Sequence, residues 1–219
     1  MAIGAVPASA LAPSSAPCIP RPDAPATPGA AKFKLFDANA RWKINGQVHP
    51  REDSDTRAKV AICQAPWALI VGCIDSRVPP ELVFDQGLGD LAVARTAGQV
   101  LDSAVYGSIL YAVEELHVKI VVVLGHQKCG AVRAAISLRD DPSYPLSPRI
   151  KTLVKEIVPV VPPAGTPGRE DKAIDANIRH IRSQILLESQ VASRVSAGTL
   201  DVIGVRYELD TWIATQVHP

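Results

Sequence analysis

The chain has 219 residues, with 23 Lys and Arg against 22 Asp and Glu, and a formal net charge of +1 at pH 7. This length allows one domain with a substantial core and appendages. The balanced charge gives no electrostatic reason to expect a nucleic acid or an anionic membrane as partner. No apolar run approaches the roughly 20 residues that cross a bilayer, so we expect a small-molecule partner.

The first segment, residues 1–30, is dominated by Ala, Pro and Ser. This composition buries too little apolar surface to order itself, so we expect a disordered tail. Its stretch "ASALA" has the small residues of an export cleavage region, but a basic start and an unbroken apolar run are missing. We therefore expect a cytoplasmic protein as encoded, with export as the alternative if the true start lies upstream.

The next segment, residues 31–66, is predicted to be an N-terminal helical arm. Phe33, Phe36 and Ala40 recur at helical spacing, which favours a helix over this part of the chain. Cys63 is interpreted as a buried residue of a second helix in the same arm.

Residues 67–210 alternate between strand patterns and helix patterns. Such alternation implies crossover connections and a parallel sheet that helices cover on both faces. We therefore predict an α/β fold with a parallel-core β-sheet of about four parallel strands plus an edge strand, followed by a C-terminal tail at residues 211–219. The predicted strands are "WALIVGC", "LAVAR", "KIVVVLGH" and "LDVIGVRYEL".

Polar clusters follow two of these predicted strands. Cys73, Asp75 and Arg77 lie in "GCIDSR", while His126 and Cys129 lie in "GHQKCG", where a strand ends and a helix begins. Ligands of open parallel sheets bind at the carboxyl ends of the strands. The chain has only four cysteines, which favours metal or catalytic use over a disulfide framework. Two thiolates and an imidazole are typical of a tetrahedral zinc site with one open position.

A structural interpretation of these residues is also open. A Cys at the end of a buried strand is commonly a small core residue, and His-x-x-Cys alone is a weak signal. The charged residues favour the metal, because Arg77 could hold Asp75 ionised beside it. The fourth ligand position is then filled either by water or by Asp75.

At these residues the sequence strongly resembles the β-class carbonic anhydrases. The resemblance covers most of the chain from about Asp37 to Asp210. Two separated signatures, C-x-D-S-R and H-x-x-C, make it specific. The segments that carry it, in the order of the family, are "DANARW", "GCIDSRVPPELVFDQGLGDLAVARTAG", "SILYAV" and "VVVLGHQKCGAV".

The resemblance implies that Cys73, His126 and Cys129 bind one Zn²⁺ per chain and that Asp75 and Arg77 are catalytic. Asp75 either completes a closed, inactive tetrahedron or swings onto Arg77 and leaves room for water. In the open state, zinc-bound hydroxide attacks carbon dioxide and gives bicarbonate. Asp75 would accept a hydrogen bond from that hydroxide and orient it.

Three further residues resemble pocket positions of the family, namely Gln86, Gly98 and Tyr111. Their alternative interpretations are a turn-capping amide, an ordinary tight turn and a core tyrosine. We also expect Gly98 to bring backbone close to the zinc site, since a residue without a Cβ allows that approach. Many family members carry Asn where this chain has Thr96 and Gln99, so the hydrogen bonds around the ligands are expected to differ.

The resemblance also implies a homodimer, or a tetramer built of dimers, joined through the helical arms and edge strands with the active sites at the interface. Ile70 stands where the subgroup with an allosteric bicarbonate site has Trp, so we predict no bicarbonate-closed switch. Two alternatives to carbon dioxide hydration stay open. One is hydrolysis of carbon disulfide or carbonyl sulfide on the same scaffold. The other is a non-catalytic zinc-binding module, although its signature would be the loss of Arg77.

Overall fold

The computed structural model describes residues 22–219, which fold around one mixed β-sheet. The strand order is β2-β1-β3-β4-β5; the first four of these are mutually parallel and β5 is antiparallel to β4. The predicted fold class, about four parallel strands plus an edge strand, is confirmed. The strands are β1 (Ala68–Cys73), β2 (Leu91–Thr96), β3 (Ile120–His126), β4 (Asp201–Tyr207) and β5 (Ala214–Val217).

Helices cover both faces of the sheet. No helix within residues 22–219 is long and apolar enough to cross a membrane. Short 3-10 turns follow β2 and α6. The helices are α1 (Pro28–Lys43), α2 (Ser54–Val60), α3 (Pro80–Val83), α4 (Ser103–Glu114), α5 (Gly130–Asp140), α6 (Pro148–Lys155), α7 (Arg169–Leu187) and α8 (Ser189–Ser196).

The sheet separates two hydrophobic cores, and the period-2 alternation of its strands supplies both. All six residues of β1 are buried. Leu69, Val71 and Cys73 contribute to the core that includes helices α4 to α8. Ala68 and Ile70 contribute to the core beneath α1 and α3. Because side chains alternate along a strand, Cys73 belongs to the same face as α5 and α7.

Helix α1 packs onto the second core through Ala31 and Leu35, and Ala38 of the same helix is also fully buried. Phe33 and Ala40, whose spacing helped to predict this helix, lie on its exposed side, and Phe33 is 72% exposed. The helix starts at Pro28, so it takes up the last residues of the segment that we expected to be a disordered tail. The rest of that segment up to residue 21, with "ASALA" and Cys18, lies outside the described residues.

Two expectations from the sequence differ from the structure. Residues 211–219, expected to be a tail, include β5, which pairs with β4; only four residues long, this strand has too short a pattern to be recognised. Cys63 is exposed and lies beyond the end of α2, so its interpretation as a buried helix residue was wrong. The adjacent Ile62 is itself 84% exposed and α2 buries none of its residues, so no core forms there.

Candidate metal centre

Cys73, His126 and Cys129 converge at one edge of the sheet. Strand β1 ends at Cys73 and its parallel neighbour β3 ends at His126. Cys129 is the N-cap residue of α5, three residues after His126. All three side chains are buried, and their ligand atoms all lie within 4.8 Å of one another. The topology thus brings together the three residues that the sequence predicted as metal ligands.

The imidazole of His126 presents one nitrogen to this cluster. Its Nδ1 lies 2.9 Å from the carbonyl oxygen of Gln127, and since a carbonyl only accepts, Nδ1 carries the proton of that hydrogen bond. Nε2 is buried and has no hydrogen-bond partner among residues 22–219. A buried nitrogen without a partner costs free energy, and a metal ion would satisfy it.

A hydrogen bond joins the two sulfur atoms and moves their pKa values apart. The bond from Cys129 lowers the pKa of Cys73 against the opposing effect of burial. The same bond, together with burial, raises the pKa of Cys129. Cys129 lies at the N-terminus of α5, where the helix dipole favours an anionic sulfur. A soft divalent cation fits this pair, since thiolates are its preferred ligands and its binding releases thiol protons.

Asp75 is paired with Arg77 beside the cluster. Arg77 donates from Nε to Oδ1 at 2.9 Å and from Nη2 to Oδ2 at 2.7 Å. This two-pronged bond lowers the pKa of Asp75 to about 2. Oδ2 also lies 3.8 Å from Nε2 of His126. Of the two arrangements considered for Asp75, the structure has the one in which Arg77 holds the carboxylate.

Arg95 is a residue of this site that sequence reasoning missed. It projects from β2 and donates from Nε to the carbonyl oxygen of Cys73 at 2.7 Å and from Nη2 to that of Asp75 at 2.6 Å. Both carbonyls belong to the segment that carries a candidate ligand and the paired carboxylate. In the sequence, its role was indicated only by its position, as a charged residue near the end of an otherwise largely apolar strand.

Gly98 lies directly against the cluster. Its backbone N–H donates to Cys73 Sγ at 3.3 Å. Its φ of +65° suits glycine, and a Cβ there would lie 2.7 Å from Cδ1 of Ile157 and 3.0 Å from Cβ of Ala131. A side chain at this position would therefore strain the backbone and push against α5.

Gln86 and Tyr111 lie apart from the cluster in the described chain. Gln86 is buried and donates from Nε2 to the carbonyl oxygen of Phe84 at 2.6 Å, in a small cavity that faces the arm. Tyr111 is 54% exposed, so its alternative interpretation as a core tyrosine was wrong. It lines a groove between α4 and β2. Within residues 22–219, neither cavity is lined by Cys73, His126 or Cys129.

Comparison with known proteins places these features in a family. A family model described as carbonic anhydrase matches residues 68–212. "Carbonic anhydrase 2" of Mycobacterium tuberculosis is 42% identical over 190 residues, covering 84% of this chain and 89% of the relative. "Carbonic anhydrase" of Mycolicibacterium smegmatis is 40% identical over 185 residues, covering 83% and 89%.

Solved structures of β-carbonic anhydrases share the fold of this chain. A Coccomyxa β-carbonic anhydrase in complex with acetazolamide superposes with a TM-score of 0.68 at 25% identity, covering 84% of each chain. One of two tetrameric β-carbonic anhydrases from Sordaria macrospora superposes with a TM-score of 0.68 at 22% identity, covering 86% of this chain and 95% of that one.

Proposed function

The chain belongs to the β-class carbonic anhydrase family, and we propose that its Cys73, His126 and Cys129 hold the zinc ion with which it hydrates carbon dioxide to bicarbonate. The observation that carries this proposal is the buried Nε2 of His126, which has no partner among residues 22–219, on a ring that offers a ligand nitrogen within 4.8 Å of both sulfur atoms. Two thiolates and an imidazole form a donor set that zinc prefers, with a fourth position left over.

When bound, zinc acts as a Lewis acid that lowers the pKa of a coordinated water to about 7, so that a nucleophile for carbon dioxide exists at neutral pH. The protein's part is to fix the ligands before the metal arrives. Gln127 fixes the orientation of the His126 ring, and Arg95 fixes the backbone on either side of residue 74. Ligands held in this way are preorganised for a defined coordination geometry.

In this proposal, Asp75 orients the group at the fourth ligand position and does not act as a base. With a pKa of about 2, its carboxylate is ionised at neutral pH and takes up a proton poorly. It can only accept hydrogen bonds, and its Oδ2 lies 3.8 Å from the ligand nitrogen of His126. It is therefore placed to accept a hydrogen bond from a group at the fourth ligand position, while the product proton leaves to solvent.

Arg77 keeps that carboxylate available. To move onto the metal as a fourth ligand, Asp75 would have to give up two charge-assisted hydrogen bonds to Arg77. Such bonds are about twice as strong as neutral ones. Arg77 thereby favours the open site over the closed one.

We further propose that two chains form a dimer in which the pocket is completed, alone or within a tetramer. Three apolar side chains of the arm region are largely exposed in a single chain, namely Phe33, Ile44 and Val48. Large exposed apolar side chains on one segment favour an interaction surface there. In such a dimer, Gln86 and Tyr111 would contribute to the pocket of a neighbouring site.

The zinc assignment is tested by measuring zinc content and carbon dioxide hydration of the purified protein and its Cys129→Ala variant. We expect the variant to lose both its zinc and its activity, because two ligands cannot hold the ion in a tetrahedral site. Ser196→Ala is the control, a similarly small truncation at an exposed position of α8 outside the site; it should keep both. Full activity in zinc-free Cys129→Ala protein would contradict the proposal.

A further inference from the structure

A buried asparagine on α7 reaches across to the candidate metal centre. Asn177 is fully buried in the helix, among core residues such as Ile174, Ile178 and Ile181. Burying an amide in apolar surroundings costs free energy unless the amide is hydrogen-bonded. Its Nδ2 donates to the carbonyl oxygen of Gly98 at 2.9 Å. Because a carbonyl only accepts, this bond also fixes which way the amide group points.

The residue that Asn177 holds is the same one that contacts a candidate ligand. The backbone N–H of Gly98 donates to Cys73 Sγ at 3.3 Å. Gly98 has a φ of +65° inside a 3-10 turn of three residues, a conformation that L-residues with side chains rarely adopt. Gly98 itself has no side chain, and the hydrogen bond from Asn177 holds its carbonyl group from outside the turn.

We propose that Asn177 is a positioning residue of the zinc site, which holds the Gly98 carbonyl so that the Gly98 amide stays on the Cys73 sulfur. The inference rests on the proposed zinc site. A hydrogen bond to a thiolate withdraws charge from the sulfur, and the partners of metal ligands orient those ligands and tune the metal. Without this bond, Cys73 donates more charge to the metal and its orientation is less defined.

A second buried asparagine provides a matched comparison. Asn39 on α1 donates from Nδ2 to the carbonyl oxygens of Val83 and Trp212, and its Oδ1 accepts from the N–H of Ala214. Both asparagines are thus buried and hydrogen-bonded to backbone far away in the sequence. Asn39 joins α1 to the region around β5, whereas Asn177 bonds to a residue that contacts Cys73.

The experiment replaces zinc by Co²⁺ and records the thiolate-to-cobalt charge-transfer absorption of the full-length protein, together with zinc affinity by chelator competition. The variants are Asn177→Leu and Asn177→Ala, both without a side-chain hydrogen-bond donor. We expect the absorption to move to longer wavelength, because a thiolate that has lost a hydrogen bond gives up charge more easily. We also expect zinc affinity to fall by about 10- to 100-fold.

The control variant Asn39→Leu should lower the melting temperature and leave the absorption where it is. Folded Asn177 variants with the wild-type absorption and wild-type zinc affinity would overturn the inference. Failure of both Asn177 variants to fold would overturn it too, because Asn177 would then be a residue of the core alone. If the wild-type protein itself shows no thiolate-to-cobalt absorption, the proposed zinc site fails instead, which keeps the two failures distinguishable.

Discussion

Within one chain, the metal centre has its candidate ligands and their hydrogen-bond partners in place, whereas the N-terminal arm leaves apolar side chains exposed. At the centre, the three candidate ligands are buried, Asp75 is paired with Arg77, and Arg95 and Gly98 bond to the ligand segment. On the arm, Phe33, Ile44 and Val48 are exposed. The ligand set is thus built by the fold of one chain, whereas the surface around the arm is of the kind that a second molecule covers.

A substitution in the metal centre should reduce activity the most. Asp75→Asn should lower kcat/KM by about 100-fold or more, because a neutral amide accepts the hydrogen bond at the fourth position less well and loses its ion pair with Arg77. Zinc content should stay at the wild-type value, since the carboxylate is engaged by Arg77 and not needed as a ligand. Stopped-flow hydration assays with metal analysis measure both.

Asp210→Asn is the control for that variant. Asp210 accepts a hydrogen bond from Lys128 Nζ at 2.6 Å and lines a cavity together with Arg77. The substitution therefore removes a nearby carboxylate that has no role in the proposed reaction. Its activity should match the wild type. An Asp75→Asn enzyme with undiminished kcat/KM would show that the carboxylate has no part in the reaction.

A change on the arm should separate the two regions. Phe33→Asp places a charge on the exposed face of α1, and we expect it to reduce the molar mass in solution to that of one chain, because burying an unpaired charge at an interface is costly. Zinc content per chain should not change, while activity should fall if the pocket is completed by a second copy. Light scattering coupled to gel filtration gives the molar mass.

Leu187→Asp serves as its control, since Leu187 is 82% exposed at the end of α7 and lies outside the arm. It should leave the assembly unchanged. If Phe33→Asp assembles like the wild type, the arm is not the surface through which the chains associate.

The smallest expected effect concerns how the arm is anchored. Asp85 is buried and accepts from the N–H groups of Val48 and His49 and from Nε of Arg41. Burial alone would raise the pKa of Asp85, but these donors outweigh it and hold that pKa below its ordinary value. Asp85→Asn should cost about 1–3 kcal/mol of unfolding free energy at neutral pH, the usual cost of leaving buried donors poorly paired.

The pH dependence of this effect follows from the sign of the shift. A carboxyl whose pKa is lowered by folding stabilises the protein above its unfolded pKa, about 3.9, and this stabilisation is lost as the pH falls through the folded pKa. The difference between wild type and Asp85→Asn should therefore be full at pH 6–7 and shrink below about pH 4. Denaturant titrations at several pH values measure it, and a difference that stays constant down to pH 3 would contradict the ionised role.

The sheet and the ligand set could be predicted from local sequence patterns, whereas features that depend on long-range contacts could not. The apolar runs that end at Cys73 and His126 predict both the strands and the positions where they end. Arg95 and Asn177 act on residues 22 and 79 positions away, and no local pattern carries such a pairing. Strand β5 depends on its pairing with β4 more than on its own four residues.

We propose that one chain supplies a complete zinc ligand set, and zinc-edge X-ray absorption on the purified protein tests this. We expect one zinc per chain with two sulfur ligands at about 2.3 Å and one imidazole nitrogen at about 2.0–2.1 Å, which are ordinary zinc distances. Protein that hydrates carbon dioxide with a zinc ion lacking sulfur ligands, or with no zinc, would contradict the claim.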